Sequence, residues 1–397
     1  MEIENGPSIK KSYCSYCGDA SINHTFRFLD SFISIPIDTH GIKIFKYVPS
    51  FAKNFADSIP YFLFGTLSIF KLIKFSSDID KANTFRSKII WEEAKRRGII
   101  MEQVIFMGKP LDYYRAVING KFFYFESIPI RPEFSYTNKN WDDKVVLKQE
   151  LSKEGVPIPA YCNLPFLHFK NLEEIFNKME KPIIVKPRIG SRGRHTITNI
   201  NNLQQFKKGI YIARQICSEL IVEEHLKGSV CRATFVGGVL AGFYRGNAPT
   251  LTGDGRKTIK ELIEEKDKNR PDRVECIRIS KELHDHISRS GFTVNDILPE
   301  GVLLTLSHRI GRLFGGTTKE MLDGLHPSFI PILKKAQKIT GLSVVGFDCI
   351  IPDPTKDEAS QKWGIIECNT LPFIDLHYYA LEGKPKNIAG MIWDLWN

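Results

Sequence analysis

The sequence predicts an α+β fold built on antiparallel sheets, and three observations carry that prediction. Helical and strand patterns follow one another irregularly, with no repeating βαβ series. Strand pairs turn on glycine dipeptides: Asn119-Gly120 in YYRAVINGKFFYFESIPI, suited to a type I′ turn, and Gly237-Gly238 in CRATFVGGVLAGFYRG. Late in the chain, VVGFDCII and WGIIECNT read as buried strands that each carry acidic residues inside an apolar run.

In chain order, ANTFRSKIIWEEAKRRGI has helical spacing of Phe85, Ile89, Ile90 and Ala94 and a stop at Gly98. The strand IIMEQVIFM follows, then the Asn119-Gly120 hairpin. IPYFLFGTLSIF, residues 59–70, is the most apolar stretch and is read as a buried core element. It is too short for a bilayer, which needs ~20 apolar residues. The polar RPEFSYTNKNW suggests a boundary, giving an α/β domain over residues 1–140 and a second domain over 141–397. In the second, DDKVVLKQELSKEG is a helix, and KPIIVKPRIGSRGRHTITNI reads as strand, glycine-rich turn, strand. ELIVEEHL is a further strand. TIKELIEEKDKN and HPSFIPILKKAQKITG are helices.

Of 397 residues, 42% are hydrophobic and 25% charged, with 27 Phe, which excludes a disordered chain. Fifty-five Lys and Arg against 45 Asp and Glu give a net charge of +10, which favours anionic partners, although solvated lysines of a Lys-rich proteome are the preferred reading. The lysines are dispersed and no basic run is interleaved with aromatics, so neither a nucleic-acid groove nor a membrane span is expected. The eight cysteines show no disulfide framework, and the N-terminus has no signal-peptide core, so a cytoplasmic protein is expected. Cys14-x-x-Cys17 with His24 supplies three potential zinc ligands. No second C-x-x-C follows, and two free thiols are the favoured reading.

Glu367 and Asn369, two apart on a strand, leave the same face. If the strand carrying Asp348 pairs with theirs, all three converge. Two carboxylates and an amide suit a hard cation such as Mg²⁺, which usually shares its shell with phosphates; a hydrogen-bonded polar pair at a strand end is the plainer alternative. Lys186 closes a strand ahead of Gly190 and Gly193 in a basic turn. Such glycines let backbone N–H groups approach phosphate, although the same turn also suits an ordinary hairpin. Neither G-x-x-x-x-G-K-[ST] nor G-x-G-x-x-G after a strand is present. LIVEEHLKG could present backbone groups to an adenine edge, or be an exposed edge strand.

Taken in this order, these motifs resemble the ATP-grasp superfamily of carboxylate–amine ligases, over roughly residues 141–397. The likeness is to the ATP-grasp domain of cyanophycin synthetase and of bifunctional glutathione synthetase, and more distantly to D-alanine–D-alanine ligase. TGDGRKTIKELIEEKDKNR is its most specific piece. The resemblance implies two α+β subdomains clasping ATP, with a lid over about 181–228, preceded by a pre-ATP-grasp-like domain. It makes Lys144 and Lys186 the phosphate lysines, and Gly190, Ser191, Arg192, Gly193 and Arg194 the lid turn. It makes Glu223, Glu224 and Leu226 the adenine hinge, and turns Arg232 and Arg245 to the active site. Asp348, Glu367 and Asn369 become ligands of two Mg²⁺ ions, with Mn²⁺ a substitute.

Val230 stands where the family usually has the acid for the ribose, and His195 stands where a lid glycine is common. The implied reaction converts a carboxylate to an acylphosphate with ATP, and an amine then attacks it, releasing ADP and phosphate. Amino acids or peptides are the implied substrates, and a homodimer is compatible. Arg309 and Arg312 are candidates for holding the acceptor carboxylate or the acylphosphate, or are surface arginines. His377 is either substrate-facing or structural. The competing readings are a phosphotransferase on the same scaffold and a non-catalytic nucleotide- or peptide-binding protein.

Overall fold

A computed structural model describes residues 14–18, 21–36, 72–131, 139–166 and 172–397. The apolar 59–70 stretch and most of the polar segment before Trp141 lie outside the described residues. In chain order the strands are β1 (Ile73–Ser76), β2 (Met101–Phe106), β3 (Lys109–Ile118), β4 (Lys121–Glu126) and β5 (Tyr161–Leu164). Then come β6 (Ile183–Pro187), β7 (Ile197–Ile200), β8 (Leu220–Glu224), β9 (Ser229–Val236) and β10 (Val239–Gly246). The last are β11 (Thr250–Thr252), β12 (Leu303–Thr305), β13 (Thr318–Glu320), β14 (Val344–Ile351) and β15 (Gly364–Asn369). All named pairs are antiparallel and helices pack on the sheets, so the α+β expectation is met.

The residues fall into two compact units. The first takes Met1–Ile33, Tyr161–His225 and Ala248–Gly316; the second takes Ser34–Ala160, Leu226–Asn247 and Thr317–Asn397. The first holds the four-stranded sheet β5-β8-β6-β7 and the pair β11-β12. Helix Leu203–Ala213 lies on the four-stranded sheet. Gly209 permits that approach, since a Cβ there would stand 3.1 Å from the Ile200 side chain. Helix Ile259–Lys268 starts at a capping box, Thr258 and Glu261 each bonding the other's backbone N–H. It packs on β11-β12 through Ile259, Leu262 and Ile263.

In the second unit β1-β2-β3-β4 forms a meander. At the β3–β4 turn Asn119 and Gly120 both have positive φ, 51° and 75°, as a type I′ turn requires. Helix Phe85–Arg96 is N-capped by Thr84, whose side chain accepts from Ser87 N–H. Ile89, Ile90 and Ala94 are buried as their spacing predicts. Phe85, at the first helical position, lies beyond the core, is 59% exposed, and meets the edge of Tyr379. The indole of Trp393 closes this core, donating to the Ile90 carbonyl at 3.1 Å.

The unit's second sheet has the order β13-β10-β9-β14-β15. One face carries Ala233, Phe235, Phe347, Cys349 and Ile365 against helices Lys144–Lys153 and Phe329–Thr340. Elsewhere in the sheet the wholly buried His377 imidazole joins Glu320 at 2.5 Å through Nδ1 and Thr234 Oγ1 at 2.8 Å through Nε2. The other Glu320 oxygen accepts from Phe243 N–H and Leu322 N–H. His377 is therefore a structural histidine, saturated by partners. Among the described residues no helix is long and apolar enough to cross a membrane.

Two outcomes follow from this packing. A Cβ on Gly242 would stand 2.5 Å from His377 Nδ1, so Gly242→Ala should push the imidazole off Glu320. The expected loss is about 2 to 3 kcal/mol, read by urea unfolding. Burial raises the Tyr114 phenol to about 12 from 10.0. The unfolded phenol ionises first, so stability is intact below about pH 10 and falls as the pH rises towards about 12. Tyr114→Phe should flatten that alkaline limb in pH-resolved unfolding.

Candidate functional site

In the second unit the register of three adjacent strands sets the chemistry. Arg232 on β9 pairs with Asp348 on β14, and Asp348 pairs with Glu367 on β15. Directly paired residues share a face, so one row runs cation, acid, acid across the sheet. Arg232 grips Asp348 with two bonds, Nε to Oδ1 at 2.7 Å and a terminal nitrogen to Oδ2 at 2.6 Å. Burial alone would lower the Arg232 pKa; Asp348 outweighs it and the net shift is upward. Gly346 pairs with Asn369, whose Nδ2 lies 3.4 Å from Asp348 Oδ2. Asp348, Glu367 and Asn369 are thus brought together, as the spacing predicts.

Strict alternation would send Ile365 to the same face as Glu367, yet Ile365 is wholly buried in the core. A bulge resolves the conflict. Asp348 faces Glu367 while the next residue, Cys349, faces Ile365, leaving Ile366 as the extra residue. The carbonyl of Ile366 accepts from Nζ of Lys148 at 2.9 Å, and Lys148 is fully buried. One turn earlier on the same helix, Lys144 Nζ stands 3.2 Å from Glu367 Oε1. Asp143 caps this helix, accepting from Val145 N–H and Val146 N–H. Asp142 accepts from both the backbone N–H and the hydroxyl of Thr370, tying that cap to the end of β15.

Sequence reasoning missed Lys148 and Asp142. The signal available was the i, i+4 spacing of Lys144 and Lys148, which puts both ammonium groups on one helix face. Arg245 is not brought to the row. It pairs with Cys231, one residue out of phase with Arg232, so it leaves the opposite face, where its Nε donates to Ser229 Oγ at 2.9 Å.

In the first unit Lys186 on β6 and Glu223 on β8 form a buried pair at 2.8 Å, only 6% and 0% exposed at their side chains. Glu224 ends β8, and the buried Leu226 follows at the start of a stretch of the second unit. Gly190, Arg192, Gly193 and His195 all have positive φ, so Gly190–Arg194 is a tight, backbone-exposing turn flanked by β6 and β7. Arg309 is buried beside it. Its guanidinium donates to the Arg192 carbonyl, the Tyr16 carbonyl at 2.8 Å and both Glu282 oxygens. Burial raises the Glu282 carboxyl above its usual range, against the pull of Arg309. His308 Nε2 lies 2.9 Å from the Gly193 carbonyl. Arg312 opens a short 3-10 turn ahead of Gly315.

No protein-family model matches the chain. By sequence it is similar to the cyanophycin synthetase of Trichormus variabilis, 31% identical over 263 residues, which covers 64% of this chain and 29% of that protein. It is also similar to the glutathione biosynthesis bifunctional protein of Streptococcus agalactiae, 28% identical over 262 residues, covering 63% and 34%. The chain thus matches about a third or less of the length of these relatives. Among solved structures it is similar to a bifunctional glutathione synthetase from Pasteurella multocida, with a TM-score of 0.48 at 21% identity, covering 78% of this chain and 44% of that one. A D-alanine–D-alanine ligase from Bacillus anthracis gives 0.40 at 14% identity, covering 65% and 66%. Over nearly two thirds of its length, then, this chain is similar in sequence to cyanophycin synthetases and to bifunctional glutathione-biosynthesis proteins.

Proposed function

We propose that this chain is an ATP-grasp ligase that joins a carboxylate, from an amino acid or a peptide, to an amine through an acylphosphate, with release of ADP and phosphate. The observation that carries the proposal is the register-matched row Arg232–Asp348–Glu367, with Asn369 and Lys144 against it. Kinship with cyanophycin synthetases supports the same reading.

The donors of that row are two carboxylates and an amide, the oxygen set that a hard divalent cation takes. Asp348, Glu367 and Asn369 would hold Mg²⁺, and the bound ion would supply charge neutralisation at phosphate oxygens. Arg232 fixes the plane of the Asp348 carboxylate, while Lys144 offers a point charge beside Glu367. In the first unit, Glu223 orients Lys186 for a phosphate oxygen, and the exposed, glycine-bearing turn that follows β6 is assigned to the same anion. The backbone of Glu223, Glu224 and Leu226 is assigned to adenine. The contacts of Arg309 support a positioning role for the turn, which leaves Arg312 as the candidate for the acceptor carboxylate. Phosphoryl transfer asks for this kind of positioning and charge more than for a covalent nucleophile.

Purified protein with Mg·ATP should release ADP and phosphate when given the right amino-acid or dipeptide pool. Mass spectrometry should find a product one water lighter than its two parts. Glu367→Gln should slow this at least about 100-fold, the scale of losing one charge-stabilising group. ADP release without any amide would instead assign phosphoryl transfer, and no stimulation by any pool would sink the small-molecule ligase reading.

The row also makes a stability prediction. Arg232→Met strands a buried carboxylate and should cost about 3 kcal/mol, whereas Arg232→Met with Asp348→Leu should regain most of it. Urea unfolding of both variants checks this.

A further inference from the structure

Cys14, Cys17, His24 and His195 converge in the first unit from separate stretches of chain. A single 3-10 turn, Ser15–Cys17, closed by Cys17 N–H on the Cys14 carbonyl, puts both sulfurs on one side. Cys17 Sγ lies 3.1 Å from His24 Nε2 and 3.5 Å from His195 Nε2, and Cys14 Sγ lies 3.7 Å from His195 Nε2. All four ligand atoms lie within 4.8 Å of one another. Zinc bonds of about 2.3 Å to sulfur and about 2.0 Å to nitrogen, arranged tetrahedrally, put ligand atoms roughly 3.3–3.8 Å apart.

Thiol–imidazole hydrogen bonds alone do not account for this arrangement. His195 Nδ1 lies 2.8 Å from the Ile212 carbonyl, an acceptor, so Nδ1 carries the proton and Nε2 presents its lone pair. One lone pair accepts one thiol proton, yet two sulfurs and a second imidazole crowd the same point. An outer partner on the far ring nitrogen is also the usual way a metal-binding histidine is oriented. The backbone around the cluster is cross-tied as well: His195 N–H donates to the Tyr16 carbonyl at 3.0 Å, and Arg194 Nε to the Cys17 carbonyl at 3.1 Å.

We propose that Cys14, Cys17, His24 and His195 hold one structural Zn²⁺ that fastens the Cys14–His24 segment to the end of the Gly190–Arg194 turn. Two thiolates and two imidazoles fill a tetrahedral shell with protein ligands, so the site is closed and not catalytic. It stands independently of ligase chemistry. The expectation of free thiols at Cys14 and Cys17 lacked the fourth ligand, which His195 supplies.

Elemental analysis of the desalted full-length chain should find about one zinc per chain. Chelator-stripped protein titrated with Co²⁺ should develop the visible bands of a tetrahedral site and a thiolate charge-transfer band. Cys17→Ser should lose both, and His24→Gln should shift the Co²⁺ bands. Where a variant fails to fold, thiol titration of the unmodified protein decides: chelator should unmask two additional reactive cysteines. Three results would overturn the site. These are a native chain by circular dichroism that holds no zinc and gives no Co²⁺ bands, a folded Cys17→Ser that keeps its full zinc, or thiol reactivity unchanged by chelator.

Discussion

The register of β9 on β14, and of β14 on β15, is the constraint on which the second unit's chemistry depends. Side chains alternate across a sheet, so a slip of one residue would send Asp348 into the apolar core and Phe347 out of it. Burial of Phe347, Cys349 and Ile351 against the helices makes that slip costly. The apolar face therefore holds the charged face in place. The bulge at Ile366 extends the arrangement by letting β15 change phase, so that Ile365 serves the core and Glu367 serves the row. The carbonyl beside that irregularity needs a donor, and Lys148 reaches it from the helix.

The first unit solves the same electrostatic problem with fewer parts. Lys186 and Glu223 sit on neighbouring strands, and each charge would be expensive to bury without the other. Around the turn that follows β6, Arg309 satisfies backbone carbonyls from two segments while Glu282 balances its charge. Buried cations in both units are thus held by named acceptors: Arg232 by Asp348, Lys148 by a carbonyl, and Arg309 by both kinds.

Much of this was legible in the sequence because it is local. Asn119-Gly120 demands positive φ wherever it turns a chain, and Thr258 with Glu261 announces a helix start. The acids in VVGFDCII and WGIIECNT stood out because their strands were otherwise apolar. What escaped was non-local or broke a period. His195 lies 178 residues from Cys17, and no spacing rule connects them. The bulge at Ile366 interrupts the alternation by which strands are read, and Arg245 looked equivalent to Arg232 until the register put it on the other face. Lys148 carried only its i, i+4 spacing from Lys144 to set it apart from exposed lysines such as Lys153.

The turn after β6 is tied on both sides of one glycine. Arg188 is anchored by its backbone N–H on the Glu219 carbonyl and by an ion pair to the Glu219 side chain. From Arg192 to His195 the chain is tied again through Arg309, His308 and the Tyr16 and Cys17 carbonyls. Between these stretches lies Gly190, with φ 140°, where an added Cβ would meet nothing nearer than Pro187 at 3.8 Å. Space is thus not what reserves the position for glycine: the backbone there lies where side-chain-bearing residues rarely go, so Gly190→Ala would be strained although the new methyl meets nothing closer than ordinary contact.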